Sequence, residues 1–244
     1  MKPRWYWHRL AKMSPLEMIL RGRQHLRQQR DLRIHQHQPP RPAAVTDTKP
    51  RRPPVPEPAE LARQFPRWES DAGPVPAPGW GTLPLFRLGP WTVSPEVDWH
   101  RDYLSGRSAP AEPAWRIPCR DPRVVGNIKY IWEINRLQFL LPLAFHGFMT
   151  GRREAADAVT ACIGHWRAAN PLLRGVNWTS ALEAGIRLVS FFWIYLFIGP
   201  LLEEDDGFMR GFRQCLFEHC WFIRRHHAFG SSANNHLIGE LAGV

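Results

Sequence analysis

The stretch SALEAGIRLVSFFWIYLFI, Ser180–Ile198, decides the fold class of this chain. It is apolar on nearly every side of a helix, apart from Glu183 and Arg187. A helix of that kind is either surrounded by other helices or lies in a membrane. The longest apolar run, Leu188–Leu202, is 15 residues long and contains Gly199 and Pro200, short of the roughly 20 that cross a bilayer. The expectation is a core helix, opened by the capping box Ser180-Ala181-Leu182-Glu183 and stopped by Gly199-Pro200.

Helical patterning extends outward on both sides. Upstream, Ala155, Ala158, Val159, Cys162 and Trp166 recur at three- and four-residue spacing, which predicts a helix over 152–169, stopped by Asn170-Pro171. Before it, Ile128, Ile131, Trp132, Phe139, Leu140 and Leu143 continue the period from Asp121-Pro122 to Thr150-Gly151, with Pro142 placed to kink or split the helix. Downstream, Asp205 and Asp206 precede a helix to about His227, carrying Phe208, Phe212, Leu216, Phe217, Trp221 and Phe222. Short connections between long helices imply antiparallel hairpins. After Pro118 nothing has the pattern of a strand, a Rossmann fingerprint or a P-loop. The expected class is all-α over residues 121–244.

The preceding segments differ in composition. Residues 79–120 interleave Trp80, Trp91, Trp99 and Trp115 with Gly and Pro. They read as an irregular aromatic collar with short strands in GTLPLFRLGPWTVSP. Residues 36–78 hold half of the 24 prolines and few large apolar side chains, a linker without enough apolar surface to offset its ordering. Residues 1–35 form a basic helical segment: Ser14, Pro15 and Glu17 start a helix whose Leu16, Ile19 and Leu20 sit among Arg21, Arg23, Arg27 and Arg30. That helix can dock on the folded body, lie on a membrane surface or bind a partner.

The net charge of +10 is not spread evenly. Residues 1–60 contain 13 Lys/Arg and 5 Asp/Glu, leaving 19 and 17 for the remainder. The near-neutral body argues against nucleic-acid binding, which needs clustered cations. Cys119, Cys162, Cys215 and Cys220 form no CxxC pair, and with His219, His226 and His227 they match no zinc spacing, so neither metal nor cofactor is expected. Charges interrupt Met1–Leu20 too often for a signal peptide.

The last stretch, GSSANNHLIGELAGV (Gly230–Val244), gathers two serines, two asparagines, His236 and Glu240 around a helix start. Four landmarks then stand in register: Ile128–Arg136; Trp166, Asn170 and Pro171; Gly175-Val176-Asn177-Trp178 with Glu183 and Arg187; and Asn235-His236-Leu237 with Glu240. In order and spacing they resemble the N-terminal helical domain of the heparinase II/III and oligoalginate-lyase families. The resemblance covers about residues 95–244, and more loosely the first 35 through Arg9-Leu10, Met13-Ser14 and Glu17.

That resemblance implies a partial (α/α) toroid, followed in the family by antiparallel β-sandwich sheets, and periplasmic β-elimination of uronic-acid polysaccharides. It maps the family's Asn-His pair to Asn235 and His236. The family's tyrosine, and often a further histidine, would fall beyond Val244. The 244 residues alone are then expected to be inactive as a lyase, with exposed apolar helix faces.

The chemistry suits the pair. Removing the C5 proton of a uronate requires its carboxylate to be neutralised. An Asn amide donates hydrogen bonds without titrating, a His adds charge or a second bond, and a helix start adds unpaired N–H groups. His236 can alternatively act as the base. In the plainer alternative, Ser232 or Asn234 is an N-cap and His236 a partly buried core histidine. Asn177 and Trp178 are candidates for a sugar subsite, with Asn234 and Glu240 as further substrate contacts. Glu133 with Arg136, and Glu183 with Arg187, read as internal ties. The competing function is a non-catalytic module on the same scaffold that binds an acidic polysaccharide.

Overall fold

The computed structural model describes residues 13–35, 38–41, 53–67, 79–202, 206–228 and 234–244. The body is helical: α1 (Pro15–His35), α2 (Pro58–Gln64), α3 (Pro122–Val125), α4 (Ile128–Asn135), α5 (Leu141–Thr150), α6 (Arg153–Ala169), α7 (Ala181–Ile198), α8 (Asp206–His226) and α9 (Asn234–Ala242). The all-α expectation holds for the body, and α6 falls where the periodicity placed it. Ala155, Val159, Cys162 and Trp166 are its buried residues, joined by Ala156 and Ile163.

The span 121–150 is broken more thoroughly than one proline would require. Asp121 caps α3 by accepting the Arg123 N–H at 3.0 Å. Gly126 ends it at φ +67°, where a Cβ would collide with the Asp102 carboxylate. Asn127 caps α4 in the same manner. Leu137 then adopts φ +60°, and Pro142 sits in the first turn of α5. The proline therefore opens a helix rather than kinking one, because its missing N–H has no helical partner in the first turn.

Helix α7 lies between α5 and α9; α8 packs on α7 and α6, and α6 packs on α5. Ala184, Leu188, Phe191, Ile194 and Ile198 of α7 are buried, while Val189, Phe192 and Trp193 are 39–48% exposed. The core helix thus has an open apolar face. Together with the 3-10 turn that follows, Ala181–Leu202 spans 22 residues at a mean hydropathy of 1.7. By length and composition it could cross a membrane, which the shorter run Leu188–Leu202 had not suggested. Ser180 stands at the N-cap position, but its hydroxyl makes no capping bond.

The collar contains two short antiparallel pairs, β1 (Gly81–Pro84) with β2 (Pro90–Val93), and β3 (Arg101–Asp102) with β4 (Arg107–Ser108). Stacked Trp80 and Trp99 hold it to the body, and the Trp99 indole donates to His165 Nδ1 at 2.8 Å.

Of the 36–78 linker, residues 38–41 and 53–67 are described, and they include the short helix α2, which packs against α5. Helix α1 docks on α8. Arg225 grips Asp31 at 2.8 and 2.6 Å, Arg27 donates to the Arg225 carbonyl at 2.8 Å, and His35 meets the Trp221 ring edge-on. At its start the Ser14 hydroxyl accepts the Glu17 N–H at 3.1 Å, as the capping pattern required.

Candidate functional site

Asn235 and His236 occupy the first turn of α9, and both are exposed. What fixes α9 is a close backbone approach to α7. A Cβ on Gly185 would lie 2.5 Å from the Gly239 carbonyl oxygen, and one on Gly243 would lie 2.6 Å from that of Gly185. Only residues without a side chain permit helices this close. The N-terminal end of α9 therefore presents its pair from a fixed position. Residues 229–233, with Ser231 and Ser232, and the side chain of Asn234 lie outside the described residues, so the capping alternative and the Asn234 contact lie there too.

Glu240 is placed differently from the expectation. It is buried, and its carboxylate accepts the Ala228 N–H at 2.7 Å, tying the end of α8 to α9. Burial raises its pKa, against the pull of that hydrogen bond, His227 and His236. Its role is to hold the chain, with no face turned to a substrate.

Asn177 and Trp178 also require correction. They are 0% and 1% exposed, so neither can stack on or bond a sugar. The Asn177 amide donates to Asn135 Oδ1 at 2.8 Å and Asn170 Oδ1 at 2.7 Å. The Trp178 indole donates to the Asn170 carbonyl at 3.1 Å. Asn135 is the hub. Its amide donates to the carbonyls of Trp99 and Ile131, while its oxygen accepts the Trp166 indole N–H at 2.8 Å. The landmark residues of α4, α6 and the 3-10 turn Val176–Trp178 thus form one buried polar network. Asn135 uses both its amide and its oxygen in it, whereas Asn177 Oδ1 is buried without a partner; paired buried polar groups of this kind stabilise a fold.

The ion pairs are redistributed. Arg136 makes a two-pronged contact with Glu183, at 2.9 and 3.0 Å, and a third bond to Glu133 at 2.7 Å. Glu183 therefore joins α7 to α4 and neither caps its own helix nor pairs with Arg187. Arg187 is fully buried between the Trp166 and Trp178 rings, 5.1 and 5.8 Å from their centres. It donates to the Asn177 carbonyl at 2.7 Å and to His219 Nε2 at 3.0 Å. Burial lowers its pKa to about 10, so it stays charged at neutral pH.

His219 must then be neutral, with Nδ1–H donating to the Cys215 carbonyl at 2.8 Å. Burial, followed by the Arg187 charge, drives its pKa from 6.5 to about 3. On acidification the unfolded chain takes up this proton first. The contribution is complete above pH 6.5 and is lost as the pH falls towards 3. At pH 5 the loss should be about 2 kcal/mol. Urea midpoints at pH 7 and pH 5 should differ less in His219→Gln, which does not titrate; equal shifts in the two proteins would refute the assignment.

Among the described residues, no group of three or more His, Cys, Asp or Glu is placed to hold a metal ion. An open groove of about 800 Å³ runs between the Pro53–Pro56 segment with α2 and the outer side of α5 and α7, walled by Phe65, Leu141, Phe145, Phe192, Trp193 and Phe197. Its described lining carries no charged side chain and is mostly apolar, so it is poorly suited to a carboxylate. Compared with known proteins, the chain matches no family model, no curated protein and no solved structure.

Proposed function

We propose that this chain holds an acidic glycan for β-elimination, with Asn235 and His236 at the start of α9 neutralising a uronate carboxylate. The observation that carries this reading is the exposure of both side chains in the first turn of a helix fixed at its glycines. The first turn of a helix favours an anion through its dipole, and the Asn amide adds a donor that does not titrate. The packing of α7 between α5 and α9, with α6 and α8 set against them, is compatible with part of an (α/α) toroid. In this reading the 244 residues bind and polarise the substrate, and proton transfer falls to groups outside them. The competing module that binds without catalysis would use the same pair.

Two measurements separate the possibilities. The 244-residue chain should bind uronate oligosaccharides from alginate, heparan sulfate or hyaluronan in calorimetry. Asn235→Ala and His236→Ala should each weaken that binding about tenfold, the worth of one or two charge-assisted hydrogen bonds. Longer natural versions should release unsaturated product, followed by its ultraviolet absorbance. Binding without product selects the non-catalytic module. Unchanged affinity in both variants removes Asn235 and His236 from the site.

A further inference from the structure

Helix α1 is docked inside out. The side turned to the body carries Glu17, Arg21, Gln24, Gln28, Asp31 and His35, with Leu32 buried beside them. The outer side carries Leu16, Ile19, Leu26 and Ile34, 50–69% exposed, with Arg23, Arg27 and Arg30 interleaved among them. An ordinary surface helix does the reverse. The orientation is fixed, because Asp31 is held inward by Arg225 and lies 3.1 Å from His226 Nε2. Rotating the aliphatic residues inward would break those bonds and bury arginines without partners.

The last turn of α8 extends this face. Arg224 and Arg225 join Arg23, Arg27 and Arg30 around a cleft of about 530 Å³, with Leu26 as its apolar member. Among the described residues no carboxylate lines it; the nearby Asp31 is engaged by Arg225, and Glu17 by Arg21 at 2.8 Å. Guanidinium forks suit phosphate oxygens. A dissolved polyanion would use the arginines but leave Leu16, Ile19 and Leu26 in water. An anionic bilayer uses both: phosphates enter the cleft while the aliphatic side chains reach the acyl boundary.

We propose that the outer face of α1, with the last turn of α8, docks this protein on a membrane surface rich in anionic phospholipid. The proposal is independent of the glycan reading, since it uses no residue of α9.

The whole 244-residue protein should co-sediment with vesicles of phosphatidylcholine mixed with phosphatidylglycerol, and not with vesicles of phosphatidylcholine alone. Rising salt should weaken the binding. The triple variant Arg23→Gln, Arg27→Gln, Arg30→Gln should lower the partition coefficient roughly 100-fold. Leu16→Ser, Ile19→Ser, Leu26→Ser together should lower it at least about tenfold. These side chains are exposed, so circular dichroism should show the helix content of both variants unchanged. Equal binding to the neutral vesicles overturns the proposal. So does undiminished binding of the leucine–isoleucine variant, which would mark a plain polyanion site, or retention on heparin or duplex DNA without any vesicle binding.

Discussion

Asn135→Ala is expected to cost about 3–5 kcal/mol, the largest loss of stability from any single truncation in the buried network. The side chain is 0% exposed and serves four partners. Its removal leaves the Trp166 indole N–H and one of the Asn177 amide bonds without their acceptor, in a place that water does not reach, while the Trp99 carbonyl keeps only the longer 3.4 Å bond from Asn177. Each orphaned group costs about 1–3 kcal/mol. A domain of this size is stable by only about 5–15 kcal/mol, so the variant should unfold at a much lower urea concentration. Tryptophan fluorescence reports this directly, because Trp166 and Trp178 both sit at the network. Asn235→Ala, at an exposed position, should leave the urea midpoint where it was. If the two variants have the same midpoint, the network does not hold the fold.

Gly185→Ala should act locally and strongly. The added methyl would sit 2.5 Å from the Gly239 carbonyl and 3.1 Å from the Glu240 Cα, both backbone atoms of a rigid helix. Neither helix can yield by turning a side chain, so they must part, at about 2–3 kcal/mol. The expected outcome is undocking of α9 with the rest of the core intact. Hydrogen exchange over 234–244 should accelerate about 100-fold while α6 and α8 keep their protection. The same variant should lose binding by Asn235 and His236 if they form a site, because the pair would no longer be presented from a fixed helix. Unchanged exchange over 234–244 would show that the glycine contact does not hold α9.

The elements that were legible in the sequence are those whose apolar spacing is local. Helix α6 was readable from Ala155 to Trp166, and α8 from its aromatic period, because one face of each helix meets one core. The misplaced residues share a different cause. Asn177 and Trp178 follow Gly175 and precede a helix, a context that suits an exposed loop as well as a buried turn. Their burial is decided by Asn135 and Asn170, one of which lies 42 residues away. Glu183 has the spacing of a capping box, yet a guanidinium from α4, 47 residues distant, outcompetes the backbone N–H. Glu240 looks like a polar residue of a site motif until Ala228 is placed beside it. The inverted docking of α1 was equally illegible. Its stripe of Leu16, Ile19 and Leu20 invites burial, and only Asp31 meeting Arg225 explains why the opposite side won.

That meeting also sets an order of events. Asp31 and Arg225 are separated by 194 residues. At about 5–20 residues per second, α1 leaves the ribosome some 10–40 seconds before its partner helix is made. For that interval it has no α8 to dock on and is only marginally helical. The contact therefore closes late, and among the described helices α1 waits longest between its own synthesis and that of its seat.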